Sequence, residues 1–226
     1  FHSSFETILL VAIDKENTQT GLIALLGPVK AVRAFALPAT PGEKQLLYMQ
    51  SAPEHWQIPG SNLICASMEF SCGALVSIQM DGNTVGDEHS RFELYGTLGR
   101  LKLNTMDDFG DKVQLLLPES QEVDFPFTHG YNGVNCTSEP APFDGGGHRG
   151  VGVAEMAYAI RQGRPNRLNA DYGIHCLEVL LGMDEAAATG QTYYLKSACE
   201  ICPLKPGFYS TVWRSGRADA EKSLID

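Results

Sequence analysis

The sequence predicts an α+β fold, with one large, mostly antiparallel open sheet and helices on one of its faces. Several runs of strand-forming residues are joined by connections short enough for hairpins, and only antiparallel neighbours can be joined in this way. Helical periodicity returns in two segments that follow these runs. Because no Gly-x-Gly-x-x-Gly follows a strand, the sequence predicts no Rossmann domain in this chain.

The first predicted element is a short helix. Asn17 or Thr18 can cap a helix that ends at Leu26, because Gly27 favours a left-handed turn and the proline after it cannot continue the helix. We interpret residues 1–16 as a remnant that leads in from a missing N-terminal domain. Residues 17–206 are predicted as one α+β domain, and residues 207–226 as a C-terminal tail.

The strands are predicted from apolar, β-branched and aromatic runs bounded by turn residues, over 29–37, 63–70, 74–80, 91–95, 100–103 and 113–117. Strands 63–70 and 74–80 carry apolar residues at positions on both faces. A sheet face that is open to water should alternate more cleanly between apolar and polar residues. We therefore expect the face without helices to pack against another copy of the chain, which makes the protein a homo-oligomer.

The second half begins with a long connection and continues with two helices. Residues 118–148 are rich in Pro, Gly, Asn and Ser and are predicted to be irregular. Helices are predicted over 151–162 and 170–189. Asn169 can cap the second helix and Gly190 ends it. A final edge strand is predicted over 192–195.

Composition excludes several classes of function. The net charge of −10, with 27 acidic and 17 basic residues, disfavours binding to nucleic acid or to anionic membranes. The longest apolar runs are too short to span a bilayer, so no membrane association is expected. Six scattered cysteines in a chain that is 43% hydrophobic do not indicate a disulfide-stapled fold, and reduced thiols and a cytoplasmic location are expected. Cys199-x-x-Cys202 lacks the second ligand pair of a zinc site.

Four segments in order carry a resemblance to a known family. They are LLGPV at 25–29, FELYGTLG at 92–99, RGVGVAEMAYAI at 149–160 with GRP at 163–165, and HCLEVL at 175–180. Together they resemble the C-terminal domain of the Gfo/Idh/MocA oxidoreductases, named for glucose–fructose oxidoreductase and inositol dehydrogenase. The resemblance implies a substrate-binding and oligomerisation domain of an NAD(P)-dependent enzyme that acts on a sugar, cyclitol or related polyol.

The resemblance also implies where cofactor and catalytic groups lie. NAD or NADP would bind to a separate N-terminal domain of the full-length parent, and this fragment alone is expected neither to bind it tightly nor to be active. Family members commonly carry an Asp and a His at the start of this domain, just before the helix that ends in LLG. The positions that correspond are Asp14, with a shift of one residue, and Asn17. Asn17 can orient a hydroxyl but cannot act as a general base, and it could equally be only a helix cap.

Two further residues are candidates for substrate contacts. His148 and Arg149 lie beside a glycine run and at the start of a predicted helix, where an anionic or polyhydroxylated ligand could bind. The alternative is a loop that faces only water. For the whole chain, the alternative function is a non-catalytic assembly or interaction domain that has lost the redox half. A hydrolase ranks last, because no paired carboxylates stand out.

Overall fold

The computed structural model describes residues 5–12, 15–38, 61–81, 91–103, 113–125 and 151–203. These residues form nine strands and three helices. In chain order they are β1 Phe5–Ala12, α1 Lys15–Leu26, β2 Val29–Pro38, β3 Ser61–Phe70, β4 Leu75–Asp81, β5 Arg91–Gly96, β6 Gly99–Leu103, β7 Val113–Leu116, β8 Val123–Phe125, α2 Val151–Gln162, α3 Ala170–Thr189 and β9 Tyr193–Tyr194.

The nine strands form one sheet in the order β8-β7-β6-β5-β1-β4-β3-β2-β9. Every neighbouring pair is antiparallel except β1 and β4, which run parallel. The predicted fold class, α+β with a mostly antiparallel open sheet, is therefore confirmed. Strand β1 pairs with β5 on one side and with β4 on the other, so residues 5–12 lie near the middle of this sheet rather than outside it.

Burial alternates strictly along the central strands. On β4, Val76, Ile78 and Met80 are buried, whereas Leu75, Ser77 and Gln79, which alternate with them, are exposed. The same alternation on β3 leaves Leu63, Cys65, Ser67 and Glu69 on the second face. Apolar residues do lie on both faces, since Leu63 of β3 and Leu75 of β4 belong to the second face, but most of the apolar residues of these strands belong to the covered face.

Helix α3 packs on β2 and β3 at one face of the sheet, and α1 packs against α3. Leu22 and Ile23 of α1, and Val179 and Met183 of α3, are fully buried and belong to the same core as the inward-facing residues of β4. Burying one such side chain stabilises the fold by about 1.5–3 kcal/mol. The core of the described part of the chain therefore lies between these two helices and one sheet face.

Two glycines allow α3 to lie where it does. Gly190 ends the helix with φ 67°, a left-handed conformation that disfavours residues with a side chain, and its N–H donates to the carbonyl of Ala186. At Gly182, an added Cβ would lie 2.7 Å from the ring of Tyr193. The close approach between α3 and β9 therefore requires glycine at position 182.

Several boundaries differ from those predicted. Helix α1 begins at Lys15, so Asn17 lies within its first turn and neither Asn17 nor Thr18 is the residue before the helix. Residues 118–148 were expected to be irregular throughout, yet Val123–Phe125 pairs with β7 at the sheet edge. The last strand is confined to Tyr193–Tyr194. The predicted tail, 207–226, lies outside the described residues. No helix in the described ranges is long and apolar enough to cross a membrane.

Candidate functional site

Hydrogen bonds join α1 to the first two turns of α3. The side chain of Gln19, which is fully buried, donates to the carbonyl of Cys176 at 2.7 Å. The Tyr172 hydroxyl donates to the carbonyl of Thr20. Because these groups are removed from water, each lost hydrogen bond would leave a costly unpaired group. The orientation of α1 on the sheet is therefore fixed by α3.

His175 extends this contact to the turn between α1 and β2. The backbone N–H of Val29 donates to its Nε2 at 2.9 Å, so Nε2 carries no proton and the proton lies on Nδ1. Nδ1 then donates to the Ser197 hydroxyl at 2.8 Å. Burial lowers the pKa of His175, and the side chain is completely buried. A neutral imidazole with both nitrogens engaged is a structural link rather than a general base.

Glu178 continues the same network towards β9. Its carboxylate accepts from the backbone N–H groups of Lys196 at 2.9 Å and Ser197 at 2.7 Å, and from the Tyr193 hydroxyl at 3.1 Å. Burial would raise the pKa of Glu178, but the hydrogen bonds from Ser197, Lys196 and Tyr193 lower it to about 2. The ionised carboxylate therefore holds the segment after β9 against α3.

The thiols near α1 are protonated at neutral pH. Burial raises the pKa of Cys176, against the opposing hydrogen bond from Thr20. Burial also raises the pKa of Cys199, and Cys176 raises it further. Thiolates are the reactive form of cysteine, so these two side chains act as small apolar groups. All the cysteines of the described residues are free.

A second polar cluster lies where α2 ends. Arg164 makes a bidentate contact with Glu155 at 2.6 and 2.8 Å, and Arg167 donates to the same carboxylate at 2.8 Å. Burial would raise the pKa of Glu155, and the hydrogen bond from Arg164 and the charge of Arg167 outweigh it, so this pKa lies below its usual value. Charge-assisted hydrogen bonds, which are stronger than neutral ones, therefore join α2 to the segment that leads to α3.

The residues predicted as catalytic and substrate-binding are not brought together by the described part of the structure. Asn17 lies in the first turn of α1, and only its backbone is described. Asp14, His148 and Arg149 lie outside the described residues. The assignment of a site to these four residues therefore remains a prediction.

Sequence reasoning missed the networks that shape this region. His175 and Glu178 occupy neighbouring positions on one helix face, as the spacing i, i+3 requires, but the sequence does not show that Ser197 lies beside them. Among the described residues, no group of three or more His, Cys, Asp or Glu side chains could hold a metal ion. What the described residues provide is a set of hydrogen bonds that joins α3 to Gln19 and Thr20 of α1 and to the backbone of Val29.

Comparison with known proteins gives a consistent result at the level of fold. No family model matches the chain, and no curated protein matches it significantly. Solved structures do match. Levoglucosan dehydrogenase, in complex with NADH and levoglucosan, superposes with a TM-score of 0.62 at 17% identity, over 85% of this chain and 59% of that chain.

Two further structures are similar. The aldose-aldose oxidoreductase from Caulobacter crescentus, complexed with glycerol, gives a TM-score of 0.56 at 15% identity, over 86% of this chain and 57% of that chain. UDP-N-acetylglucosamine 3-dehydrogenase from Acidithiobacillus ferrooxidans gives a TM-score of 0.56 at 13% identity, over 83% of this chain and 55% of that chain. The chain thus spans less than two thirds of these proteins. It has the fold of the C-terminal domain of Gfo/Idh/MocA-type sugar oxidoreductases, which confirms the resemblance seen in the sequence.

Proposed function

We propose that this chain is the substrate-binding and oligomerisation domain of an NAD(P)-dependent oxidoreductase that acts on a sugar, cyclitol or related polyol. The observation that carries the proposal is the shared fold with several sugar oxidoreductases over about 85% of the chain. Two of those structures contain levoglucosan and glycerol, which are both polyhydroxylated. Fold alone does not define an activity, so the four ordered sequence motifs are the second support.

The proposed substrate contacts lie at the start of α1 and before α2. Asp14 and Asn17 would meet the reacting hydroxyl, and His148 and Arg149 would hold other oxygens of the substrate. The hydrogen bond from Gln19 to the carbonyl of Cys176 supports this, because a helix that positions a substrate must keep a fixed orientation. An amide can only donate to or accept from a hydroxyl, so the group that takes the hydroxyl proton would be Asp14 or a side chain outside this chain.

The cofactor would bind outside this domain. We propose that NAD or NADP is held by a further domain of the full-length parent and that this chain alone binds neither tightly. The support is that roughly two fifths of each matched structure lies beyond the part that resembles this chain, and one of those structures contains NADH.

The partner and location proposals rest on the second face of the sheet and on the cysteines. Phe35, Leu37 and Leu75 are exposed large apolar side chains on the face that α1 and α3 leave uncovered. We propose that this face mediates homo-oligomerisation. The cysteines of the described residues are free, which supports a reducing compartment, and we propose a cytoplasmic location.

One observation favours a second candidate function. Asn17 stands where the family carries a proton-transferring His, and this favours a non-catalytic assembly domain that has lost the redox half. The two candidates predict different activities for the protein that is encoded by the longest natural reading frame containing this chain: the first predicts an oxidoreductase, and the second predicts no redox activity.

The experiment is a redox assay on the purified product of that reading frame. A panel of aldoses, cyclitols and glycerol-type polyols is incubated with NAD⁺ or NADP⁺, and absorbance at 340 nm is followed. Substrate-dependent reduction is expected, and Asn17→Ala should raise the KM or lower kcat, whereas Asp184→Ala on the exposed side of α3 should change neither. Absence of both nicotinamide binding and reduction across the panel would favour the assembly domain.

A further inference from the structure

The two halves of helix α1 are held to the rest of the domain in different ways. Leu22 and Ile23, in the second half, are fully buried, and Leu26 is 6% exposed, so apolar packing in the core fixes this half. Gln19 and Thr20, in the first half, are joined to α3 by hydrogen bonds. The contacts that these two residues make with α3 are therefore polar, and they orient the half of the helix that leads to the proposed substrate contacts.

The hydroxyl of Tyr172 lies at a backbone hydrogen bond of α1. The side chain is 4% exposed, and its hydroxyl donates to the carbonyl of Thr20. In a regular α-helix that carbonyl accepts from the N–H group four residues later, which belongs to Ala24. Burial raises the pKa of Tyr172, and a hydrogen bond between its hydroxyl and the backbone of Ala24 lowers it in part. A side chain of α3 therefore bridges two backbone groups that α1 would pair with each other.

The bridged pair marks the boundary between the two halves of α1. Gly21 follows Thr20 directly, and Leu22 is the first of the buried core residues. A glycine in the interior of a helix costs about 1 kcal/mol relative to alanine. Helices also bend where a side chain inserts into the backbone ladder. The first half of α1 can therefore change its direction relative to the second half at this point, and the Tyr172 hydroxyl holds it in one direction.

We infer that Tyr172 is a positioning residue for the polyol substrate, because its hydroxyl sets the direction of the first half of α1 and thereby the place of Asn17. This role rests on the proposed function, in which Asn17 meets the reacting hydroxyl. Tyr172 is not a catalytic residue, since its hydroxyl is already engaged with the backbone of α1. A contact group must be held to within about 0.5 Å of its productive position, so a small change in the direction of α1 weakens polyol binding.

The chain is expected to fold without this hydroxyl. Gln19 makes a second contact from the first half of α1, in which its amide donates to the carbonyl of Cys176 at 2.7 Å. Cys176 lies four residues after Tyr172 and therefore on the same side of α3. In Tyr172→Phe the ring still fills its place, and the backbone groups of Thr20 and Ala24 can pair with each other as in a regular helix. The substitution therefore changes the direction of the first half of α1 and leaves the core in place.

The test compares Tyr172→Phe with Tyr193→Phe in the protein that is encoded by the longest natural reading frame containing this chain. The control also loses one phenolic hydroxyl, which donates to Glu178 of α3 at 3.1 Å. Rates are measured with the polyol that the substrate panel identifies, and then with the nicotinamide varied. Tyr172→Phe should raise the KM of the polyol about tenfold, with kcat within about threefold and the KM of the nicotinamide unchanged. Tyr193→Phe should change none of these constants.

Hydrogen exchange of the same variants reads the direction of α1 without a need for activity. In Tyr172→Phe the amides of residues 19–24 should exchange at least about threefold faster than in the unmodified protein, whereas those of α3 should not change. Tyr193→Phe should leave the amides of α1 unchanged. A loss of overall stability would instead speed exchange in both helices, so this measurement separates a local change in α1 from a general one.

The outcomes separate the role of Tyr172 from the proposed function. A higher polyol KM together with faster exchange in α1, in Tyr172→Phe alone, supports the positioning role. If the unmodified protein is active but Tyr172→Phe matches Tyr193→Phe, lowers kcat alone, shows unchanged exchange in α1 or fails to fold, the role is overturned and the proposed function stands. If the unmodified protein reduces neither NAD⁺ nor NADP⁺ with any polyol of the panel, both are overturned.

Discussion

The two faces of the sheet are built from the same strands but have different surroundings. On β4, Ile78 is 2% exposed because it lies in the core beneath the helices, whereas Leu75 on the opposite face is 55% exposed. On β2, Val32 and Ala34 are buried, and Phe35 next to them is 80% exposed. One face is therefore completed by elements of the chain itself. The other face is completed, in our proposal, by a second copy.

The two faces show that the alternation of side chains along a strand and the packing of other elements over a sheet face are separate properties. Alternation follows from the pleat of the strand, which sends neighbouring side chains to opposite faces. Whether a face is buried depends on which element packs above the strand, and among the described residues the helix that packs on the sheet, α3, lies on one face together with α1. Large apolar side chains on an uncovered face indicate an association surface when they lie close together.

The largest difference between the faces should be seen in stability. Ile78→Ala removes a side chain from the closed core and should lower the free energy of unfolding by about 2–5 kcal/mol. Leu75→Ala, three residues away on the same strand, should change it by less than about 0.5 kcal/mol in dilute solution, because the side chain already contacts water. Urea titrations followed by circular dichroism measure both. Equal losses would show that the two faces are equally covered.

A smaller loss is expected from the polar link on the covered side. His175→Leu keeps the apolar volume but leaves the buried N–H of Val29 without an acceptor, and should cost about 2 kcal/mol. The control is Thr189→Ala, which removes a hydroxyl that donates to a backbone carbonyl on the exposed side of α3. If both substitutions cost the same in urea titrations, the His175 network does not support the core.

The same link should make stability depend on pH. Burial lowers the pKa of His175 in the folded chain below its ordinary value of 6.5, so the unfolded chain takes up the proton first as pH falls. The contribution of His175 is complete above about pH 6.5 and is lost as pH falls through the folded pKa. Glu178, with a pKa of about 2, loses its contribution only below its ordinary value of 4.5.

Urea midpoints between about pH 7.5 and pH 5 measure this dependence. The stability difference between the unmodified chain and His175→Leu should narrow as pH falls, because protonation removes the acceptor that the substitution also removes. A constant difference across this range would mean that His175 does not titrate as the buried acceptor of the Val29 N–H.

The smallest effect concerns the helix that covers the sheet. Asn169 precedes α3, and its side chain accepts from the N–H of Tyr172 at 2.9 Å. Asn169→Ala should lower the free energy of unfolding by about 1 kcal/mol, and Asn169→Asp should restore most of it. Hydrogen exchange should show faster opening at the start of α3 in the alanine variant. Unchanged exchange there would mean that the cap does not stabilise the covering helix.

Much of the fold could be predicted because local signals coincide with it. The helices 151–162 and 170–189 were predicted with the bounds that the structure shows, since a cap and a terminating glycine enclose the second one. Strand β8 was missed because three residues between polar turns carry too little pattern. The start of α1 was placed late because Asn17 resembles a cap whether or not it is one.

The long-range contacts could not be predicted in the same way. Nothing local indicates that β1 would pair with β4 and β5 in the middle of the sheet, because such pairing depends on residues far apart in sequence. The stripe of Ile174, Leu177 and Leu181 has helical spacing, yet all three are exposed. The residues that α3 buries form a second stripe through His175 and Val179. Helical spacing alone does not show which of the two stripes faces the core.

The most direct test of the two-faced sheet is hydroxyl-radical footprinting of the chain over a range of concentrations. Met80 on the covered face should be protected at every concentration. Phe35 and Leu75 on the other face should be labelled in dilute solution and become protected as the concentration rises, because a second copy then covers them. Labelling of Phe35 and Leu75 that stays high at all concentrations, or labelling of Met80 in dilute solution, would contradict the account.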